Sequence, residues 1–589
     1  MASQSGNAFD FSLFKRLIKY TNPYKWTFYF VALAAILLSL FAVLRPYLLQ
    51  ITIDESILPK DNDNLVFYVS MMMVVLFLEV IFQFCFIYFA NWLGQEVVRD
   101  LRVSLFKHML QFKMKYYDKS AVGRLVTRAV SDIETISSIF SEGLFMIASD
   151  LLKMLVVLGF MFFNSWQLTL LVLTVLPFIL YATRVFQKKM KIAFEDVRNQ
   201  VANLNTFVQE RITGMKIVQL FTREKVEYEN FKEINQKHKS AWVKTVWYNS
   251  IFFPIAEMST SITIGLIVWY GGLRVVESDT LSLGIIIMFI ELSQMLFRPL
   301  RQIADKFNTL QMGMVAANRI FGILDTDSVI QDTGSKEISS LSGEIEFENV
   351  RFSYDEGEEV LKGVSFRAKP GETIAIVGAT GAGKSTVINL LNRFYEIDGG
   401  KIMVDGIDIK DITLKSLRAE IAVVLQNVFL FADTILNNIS LHNPKVTEED
   451  VILAAKEIGI HEFISSLPNG YHYNVKERGV MLSSGQRQLI SFLRAYVSNP
   501  SILVLDEATS SVDSYSEQLI QDATDKITAN RTSIVIAHRL ATIKKADRIL
   551  VMDAGKIVEV GTHQELLQVK NGFYKNLYEV QFMAEEETI

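Results

Sequence analysis

The 589-residue sequence predicts a six-helix α-helical transmembrane domain followed by an α/β domain of the phosphate-loop (P-loop) type. Two observations lead to this fold class. Long uncharged apolar runs recur up to about Asn318, whereas the chain after about Gly343 has the mixed composition of a soluble α/β protein. The stretch GATGAGKST, residues 378–386, lies in this second part. Because the chain is too long for one hydrophobic core, several domains are expected.

Charge and cysteine content exclude several classes of function. The net charge is -5 and no dense basic block is present, so no nucleic-acid partner is predicted. The single cysteine, Cys85, rules out a disulfide framework within the chain and is expected to be a small buried hydrophobe.

The chain begins with an amphipathic segment, residues 9–20, which carries Lys15, Arg16 and Lys19. No small-residue cleavage site closes the apolar run that follows, so a cleavable signal peptide is not expected. We expect this segment to lie along the cytoplasmic surface of the membrane.

The apolar runs predict six membrane crossings, since about 20 apolar residues span the hydrocarbon core. The third and fourth crossings share one long run, in which Asn164-Ser165-Trp166-Gln167 is the only plausible turn. The runs are residues 26–44, 64–95, 136–183 (two crossings), 245–273 and 281–300.

The loops between the runs predict the orientation. Eight Lys or Arg residues lie between the second and third runs and thirteen between the fourth and fifth, whereas the opposite loops carry only Lys60 and Arg274. Under the positive-inside rule the long loops and both termini are cytoplasmic. We expect a multi-pass membrane protein.

The stretch GATGAGKST follows a short β-branched run and precedes an apolar helix start, which is the context that a phosphate-binding loop requires. Glycines let backbone N–H groups approach the phosphates of ATP, and Lys384 is expected at the β- and γ-phosphates. Ser385 is expected to bind Mg²⁺. The loop residues predicted to contact the nucleotide are Gly378, Ala379, Thr380, Gly381, Ala382, Gly383, Lys384, Ser385 and Thr386.

A second apolar strand, residues 502–505, ends in an acidic pair. Asp506 is suited to hold Mg²⁺ through water. Glu507 is placed to polarise the attacking water, so we expect it to be catalytic together with Lys384.

The stretch LSSGQ, residues 482–486, resembles the signature sequence of the ATP-binding-cassette (ABC) transporters. The resemblance implies that Tyr354 stacks on adenine, that Gln426 contacts Mg²⁺ and that His538 acts at the γ-phosphate. It also assigns Glu477 to the X-loop and residues 510–513 to the D-loop. The signature residues that it assigns to nucleotide binding are Ser483, Gly485 and Gln486.

Six spans followed by one such domain are similar to half-size exporters of type IV, the class of lipid A flippases and multidrug exporters. Because the sequence shows no organelle-targeting stretch, the resemblance implies the bacterial inner (plasma) membrane. The resemblance implies a segmentation into an amphipathic elbow (1–24), a transmembrane domain (25–324), a linker (325–342) and a nucleotide-binding domain (343–589). The family norm has Gly where Ser484 stands, and Ser-Ala-Leu-Asp where residues 510–513 read Ser-Ser-Val-Asp. The departures are expected to tune turnover without abolishing it.

In this family each ATP is enclosed between two cassettes, so the resemblance implies a dimer. A homodimer is the simplest assembly because every catalytic position is filled. A heterodimer with a different partner chain is the alternative. Closure on ATP would switch the membrane domain by alternating access. The turns at residues 117–124 and 213–216 look like the coupling helices of such exporters, with plain loop turns as the alternative.

Ionisable groups inside the apolar runs cost roughly 2.5–3.5 kcal/mol each, so they require a role. Counting about 1.5 Å per residue places Glu79, Asp150, Lys153 and Glu257 near mid-membrane and Glu291 closer to the outer side. Asp150 and Lys153 are three residues apart on one helix face and are expected to neutralise each other.

Two substrate classes remain open from the sequence. Arg298 and Arg301 resemble the basic pair in the sixth helix of lipid A flippases, which implies membrane lipids with an anionic head as substrate. Snorkelling of the two arginines to the inner surface is the alternative. The acids Glu79, Glu257 and Glu291 instead favour hydrophobic small molecules that are cationic.

Other classes fit the sequence less well. An ATP-gated channel would not need an intact Glu507. A peptide exporter with its own protease is disfavoured because nothing long enough to be a peptidase precedes Trp26, and the six spans rule out a soluble ATPase.

Overall fold

The computed structural model describes residues 10–277, 281–338, 340–355, 357–506, 514–537 and 539–581. The chain divides into two compact units. The first comprises Met1–Leu110 and Ala121–Asp327, and the second comprises Gln111–Ser120 and Ser328–Ile589.

The first unit is entirely helical in its described part. Six of its helices are long and apolar enough to cross a membrane, which confirms the prediction of six spans. One helix in this part of the chain, α4, belongs to the second unit. The helices before residue 328 are α1 Phe11–Lys19, α2 Lys25–Thr52, α3 Asn62–Leu110, α4 Met114–Lys119, α5 Val122–Thr127, α6 Ile133–Ser138, α7 Phe145–Asn164, α8 Trp166–Thr213, α9 Met215–Leu220, α10 Glu224–Glu277 and α11 Leu283–Leu324.

Local sequence explains where several of these helices begin. The side chain of Asp10 accepts hydrogen bonds from the first backbone N–H groups of α1. Ser165 caps α8 through the N–H of Leu168, and Ser282 caps α11 through that of Ile285. The hairpin turn predicted at residues 164–167 therefore lies between the end of α7 and the start of α8.

The two ends of the first unit's chain are joined by an ion pair. Arg16 of α1 donates two hydrogen bonds to the carboxylate of Asp325, at 2.6 and 2.7 Å. Its guanidinium also lies 4.1 Å from the ring centre of Phe321 on α11. This bidentate ion pair and the cation–π contact with Phe321 hold α1 against the last turn of α11.

The described part of the second unit contains ten strands. They are β1 Ile345–Ser353, β2 Glu359–Ala368, β3 Thr373–Gly378, β4 Gly399–Val404, β5 Ile407–Asp408, β6 Ile421–Val424, β7 Ile502–Asp506, β8 Thr532–Ile536, β9 Arg548–Asp553 and β10 Lys556–Gly561. Its helices are α12 Lys384–Leu391, α13 Leu414–Glu420, α14 Ile435–Ser440, α15 Glu448–Ile458, α16 His461–Ser466, α17 Ser484–Val497, α18 Ser514–Thr528, α19 Leu540–Lys545, α20 His563–Gln568 and α21 Phe573–Gln581.

The strands form two sheets, which confirms the α/β prediction. One is antiparallel in the order β2-β1-β4-β5, and the other runs β10-β9-β3-β8-β7-β6. In the larger sheet the strands from β9 to β6 are parallel and only β10 is antiparallel. Strands buried on both faces favour continuous apolar runs, which are present at residues 502–505 of β7 and 534–536 of β8.

This sheet order determines which chain segments meet. The carboxyl ends of parallel strands lie at one edge of the sheet, so the last residues of β3, β8 and β7 lie side by side there. The strand order also puts β8 between β3 and β7.

Candidate nucleotide-binding site

The loop between β3 and α12 needs glycine at defined places. A Cβ atom at Gly378, where φ is 152°, would lie 2.1 Å from the carbonyl oxygen of Met552. A Cβ atom at Gly383, where φ is 100°, would lie 2.7 Å from a methyl group of Leu361. Side chains rarely adopt such φ values, so glycine here permits both the turn and the close packing of the loop.

Lys384 lies within the curve of this loop. Its Nζ donates hydrogen bonds to the carbonyl oxygens of Gly378 at 2.7 Å and Ala379 at 3.0 Å, and the residue is only 8% exposed. Burial lowers the pKa of Lys384, while the nearby Asp506 carboxylate opposes that change. The loop therefore holds an ammonium group next to backbone that a phosphate chain would follow.

Ser385 and Asp506 supply oxygen atoms next to the loop. The hydroxyl of Ser385 donates to Oδ2 of Asp506 at 3.5 Å. Strand pairing brings them together: Ile376 of β3 and Asp506 of β7 are both in register with Ile536 of β8. A hydroxyl and a carboxylate are ligands of the kind that Mg²⁺ prefers, and the pair fits a magnesium ion bound between phosphate and protein.

The two other predicted catalytic residues, Glu507 and His538, lie outside the described residues. So do residues 510–513. Their described neighbours in the chain are Asp506, the last residue of β7, and Ala537, directly after β8.

Tyr354 is fixed beside the first turns of α12. Its hydroxyl accepts a hydrogen bond from Asn389 Nδ2 at 3.2 Å and lies 3.3 Å from the Thr386 hydroxyl. Its ring packs edge-to-face on Phe352 and Tyr395, with centroid distances of 4.8 and 5.1 Å. No local sequence pattern indicated a role for Asn389 or Tyr395, although Tyr395 follows α12 by only four residues.

The predicted signature residues begin helix α17. The side chain of Ser483 accepts from the N–H of Gln486 at 3.2 Å, and Oε1 of Gln486 accepts from the N–H of Ser483 at 2.9 Å. This reciprocal capping box rigidifies the helix start. Gly485 is buried, whereas Ser484, the first helical residue, is exposed.

Two further predicted residues are at the surface of the second unit. Gln426 is exposed two residues after β6 ends. Glu477 is exposed at the start of a short turn, Glu477–Gly479, which precedes the signature. Their exposure leaves both side chains accessible to a ligand or to another protein surface.

In the first unit, Asp150 forms an ion pair with Lys306 of α11. The direct ionic partner of Asp150 therefore comes from another helix and is not Lys153, its predicted partner. Lys153 interacts electrostatically with Glu79 and Arg298 as well as with Asp150 and Arg45. We call this set the charge cluster; it comprises Arg45, Glu79, Asp150, Lys153, Arg298 and Lys306.

The other predicted substrate residues have different surroundings. One carboxylate oxygen each of Glu79 and Glu291 is buried and has no hydrogen-bond partner among the described residues. Glu257 is exposed and lines an open groove on α10, about 400 Å³ in volume, with Pro254 and Met258. Arg298 is exposed, and the side chain of Arg301 lies outside the described residues.

The fold and the site together define a membrane protein with a P-loop nucleotide-binding unit. Two features define that unit. A glycine loop between a strand and a helix holds Lys384, and Asp506 ends β7, which lies two strands from β3 in the parallel part of the sheet. The described part of the other unit contains six helices that are long and apolar enough to cross a membrane.

Comparison with known proteins gives the family. A model described as ABC transporter transmembrane region matches residues 28–300, and one described as ABC transporter matches residues 361–510. The chain belongs to the ABC transporter family. It is an ATP-binding, ATP-hydrolysing exporter of the half-size type, with one membrane unit and one ATPase unit.

Three relatives match along nearly their whole length. An uncharacterized ABC transporter ATP-binding protein of Bacillus subtilis is 36% identical over 98% of this chain and 95% of its own. An ATP-dependent lipid A-core flippase of Idiomarina loihiensis is 36% identical over 97% of this chain and 98% of its own. A Bacillus subtilis protein named as a candidate multidrug export ATP-binding/permease protein is 33% identical over 96% of this chain and 99% of its own.

Proposed function

We propose that this exporter moves amphipathic, lipid-like substrates with an anionic head group across, or between the leaflets of, the bacterial inner membrane. The observation that carries the substrate class is the charge cluster, which contains four basic side chains and two acidic ones. A cluster with excess positive charge inside a membrane unit attracts an anionic group and rejects a cation.

The ATP chemistry is assigned to residues of the second unit. Lys384 binds the β- and γ-phosphates, Tyr354 stacks on the base, and Ser385, Asp506 and Gln426 hold Mg²⁺. The bound Mg²⁺ neutralises charge on the phosphates. Glu507 polarises the attacking water and His538 contacts the γ-phosphate. The buried ammonium of Lys384 and the Ser385–Asp506 contact support these roles.

The catalytic site is completed by a second copy of the chain. Ser483, Gly485 and Gln486 bind the nucleotide held by the other copy, and the capping box keeps their helix start rigid. The proposed dimer has two competent sites and encloses each ATP between its cassettes, and a related but different chain is the alternative second subunit.

Nucleotide binding is coupled to transport through α4 and α9, with the ATPase unit and both termini in the cytoplasm. ATP binds the closed pair of ATPase units better than the open pair, and that difference in binding energy shifts the membrane helices to the outward-facing state. Hydrolysis removes the difference and resets the cycle. The structure contains a short helix at each predicted turn, Met114–Lys119 and Met215–Leu220, which supports this assignment.

Export of cationic hydrophobic compounds is the second candidate. Glu79 and Glu291 each have a buried carboxylate oxygen with no hydrogen-bond partner among the described residues, and Glu257 borders an apolar groove. Carboxylates in such surroundings would bind a cation.

A titration of ATPase activity separates the two candidates. We expect an anionic glycolipid to stimulate the purified exporter in nanodiscs, and the double variant Arg298→Ala/Arg301→Ala to need roughly 10-fold more of it for half-maximal stimulation. Loss of charge-assisted hydrogen bonds, worth about 1.5–3 kcal/mol, is the reason. Stimulation by a cationic drug should not weaken.

The control is Arg274→Ala, which removes an exposed arginine in the last turn of α10 that lies outside the charge cluster. It should leave glycolipid stimulation unchanged. Equal glycolipid responses of the double variant and the wild type would contradict the anionic head group, and loss of the drug response alone would favour the second candidate.

A further inference from the structure

Helix α4 is attached to the ATPase unit through backbone contacts. The N–H of Lys113 donates to the carbonyl of Ser328, and that of Ile330 donates to the carbonyl of Gln111, both at 2.8 Å. Phe112, between these contacts, is buried. The short ladder holds the residues before α4 to the strand-like segment that begins the ATPase unit's main sequence.

A pocket of about 430 Å³ separates α4 from the predicted base-stacking residue. Three of its lining residues belong to α4, and the other three belong to the segments around Tyr354 and Tyr395. The lining residues are Lys115, Asp118, Lys119, Tyr354, Asp355 and Tyr395.

Two polar links cross this pocket. The hydroxyl of Tyr395 donates to the carboxylate of Asp118, and the ammonium of Lys119 donates to that of Asp355, the neighbour of Tyr354. Burial, reinforced by the Asp118 charge, raises the pKa of Tyr395, so its hydroxyl stays a donor at neutral pH. Lys119 lowers the pKa of Asp355, which keeps that carboxylate charged.

An aromatic group joins these links to the base site. Tyr354 and Tyr395 pack nearly perpendicular with centroids 5.1 Å apart, and Phe352 contacts both rings. The hydroxyl of Tyr354 is held by Asn389 and Thr386 on α12. In a close-packed group of this kind, a fixed Tyr354 ring restricts the positions open to Tyr395.

We propose that Tyr395 and Asp118 make the order of helix α4 depend on the nucleotide base, so that α4 distinguishes ATP from a triphosphate without a base. A base stacked on Tyr354 further restrains the ring that Asn389 and Thr386 already hold. The Tyr354 ring then restrains Tyr395, and the Tyr395 hydroxyl restrains Asp118. The P-loop responds to the phosphates alone, whereas α4 responds only when the base is also bound.

The position of α4 in the chain gives this link a consequence. Helix α3 ends at Leu110, four residues before α4 begins, and α5 begins at Val122, three residues after α4 ends. Ordering α4 therefore restrains the ends of two helices of the membrane unit. The inference rests on the stacking role of Tyr354 and goes beyond the proposed transport, because it names which part of ATP acts on α4.

Hydrogen–deuterium exchange of the full chain in nanodiscs tests the link. With Mg²⁺ and the non-hydrolysable β,γ-imido analogue of ATP, exchange should slow in residues 378–386 and in residues 113–120. With Mg²⁺ and inorganic tripolyphosphate, it should slow only in residues 378–386. In Tyr395→Phe, the analogue should still protect the loop, while α4 should exchange roughly fivefold faster or more than in the wild type.

Two variants provide the comparison. Asp118→Asn removes the acceptor charge without touching the aromatic rings and should reproduce the effect of Tyr395→Phe. Tyr496→Phe removes a similar tyrosine–carboxylate hydrogen bond, to Glu457 at 3.0 Å, elsewhere in the unit and should behave as wild type.

Equal protection of α4 by tripolyphosphate and by the analogue would overturn the base dependence. Retained protection in both Tyr395→Phe and Asp118→Asn would overturn the roles of these residues. If the analogue did not slow exchange in residues 378–386 of the wild type, the nucleotide site itself would be misassigned. The proposed link between the base and α4 would then be rejected as well. No transport substrate takes part, so an error in the proposed substrate class changes none of these results.

Discussion

Replacing Lys384 with alanine is expected to lower ATP hydrolysis by roughly 100-fold or more. The Lys384 ammonium lies within the glycine loop, at 2.7 and 3.0 Å from two of its carbonyl oxygens, and is the cation placed for the β- and γ-phosphates. Removing a donor that stabilises developing phosphate charge typically costs a factor of about 100–1,000. Phosphate release by the purified chain in nanodiscs measures the loss.

The matched control is Lys401→Ala, which removes an exposed lysine on β4 of the same unit. It should hydrolyse ATP at the wild-type rate. Both variants should give the same thermal unfolding midpoint without nucleotide, so that a folding defect can be told from a catalytic one. A Lys384→Ala rate within about threefold of wild type would remove Lys384 from the proposed site.

Replacing Glu507 with glutamine is expected to leave ATP binding intact and to reduce hydrolysis by roughly 100-fold to 10,000-fold, the range for loss of a general base. The amide is isosteric with the carboxylate but cannot polarise the attacking water. Binding of a fluorescent ATP analogue and phosphate release, measured on the same preparation, separate the two effects.

The Glu507→Gln variant also separates a pump from a gated pore. A pump that cannot reset stops net transport, whereas a pore opened by ATP stays conductive when ATP remains bound. Glu449→Gln, at an exposed position in the first turn of α15, is the control and should leave both rates unchanged. Sustained ATP-dependent flux through Glu507→Gln would contradict an exporter cycle driven by hydrolysis.

Much of the membrane unit could be predicted because its signals are local. An apolar run of fixed length predicts a span, and a serine next to a short polar stretch predicts a helix start. The turn between α7 and α8 illustrates this: α7 ends at Asn164, and Ser165 caps the next helix. Such features need no knowledge of distant residues.

Pairings between distant residues could not be predicted in the same way. The spacing of Asp150 and Lys153 indicated a pair on one helix, but Asp150 bonds to Lys306, 156 residues away. The bond from Tyr395 to Asp118 joins residues 277 apart. A polar residue in the sequence does not identify its distant partner, because only the packing of the chain brings the two side chains together.

The nucleotide site was predictable residue by residue but not as an arrangement. The glycine loop and the acidic strand end each have their own sequence pattern, and the structure brings Ser385 within 3.5 Å of Asp506. The placement of β8 between β3 and β7 comes from the order of strands in the sheet, which the patterns of single strands do not encode. The contacts of Tyr354 with Asn389 and Thr386 depend on that same packing.

The central proposal is that two copies of this chain together form each ATP-hydrolysing site. The direct measurement compares the rate of phosphate release per chain in nanodiscs that hold one copy with the rate in nanodiscs that hold two. Because Ser483 and Gly485 would come from the second copy, single-copy discs should hydrolyse ATP at least roughly 100-fold more slowly per chain. Equal rates per chain in the two preparations would contradict the shared site.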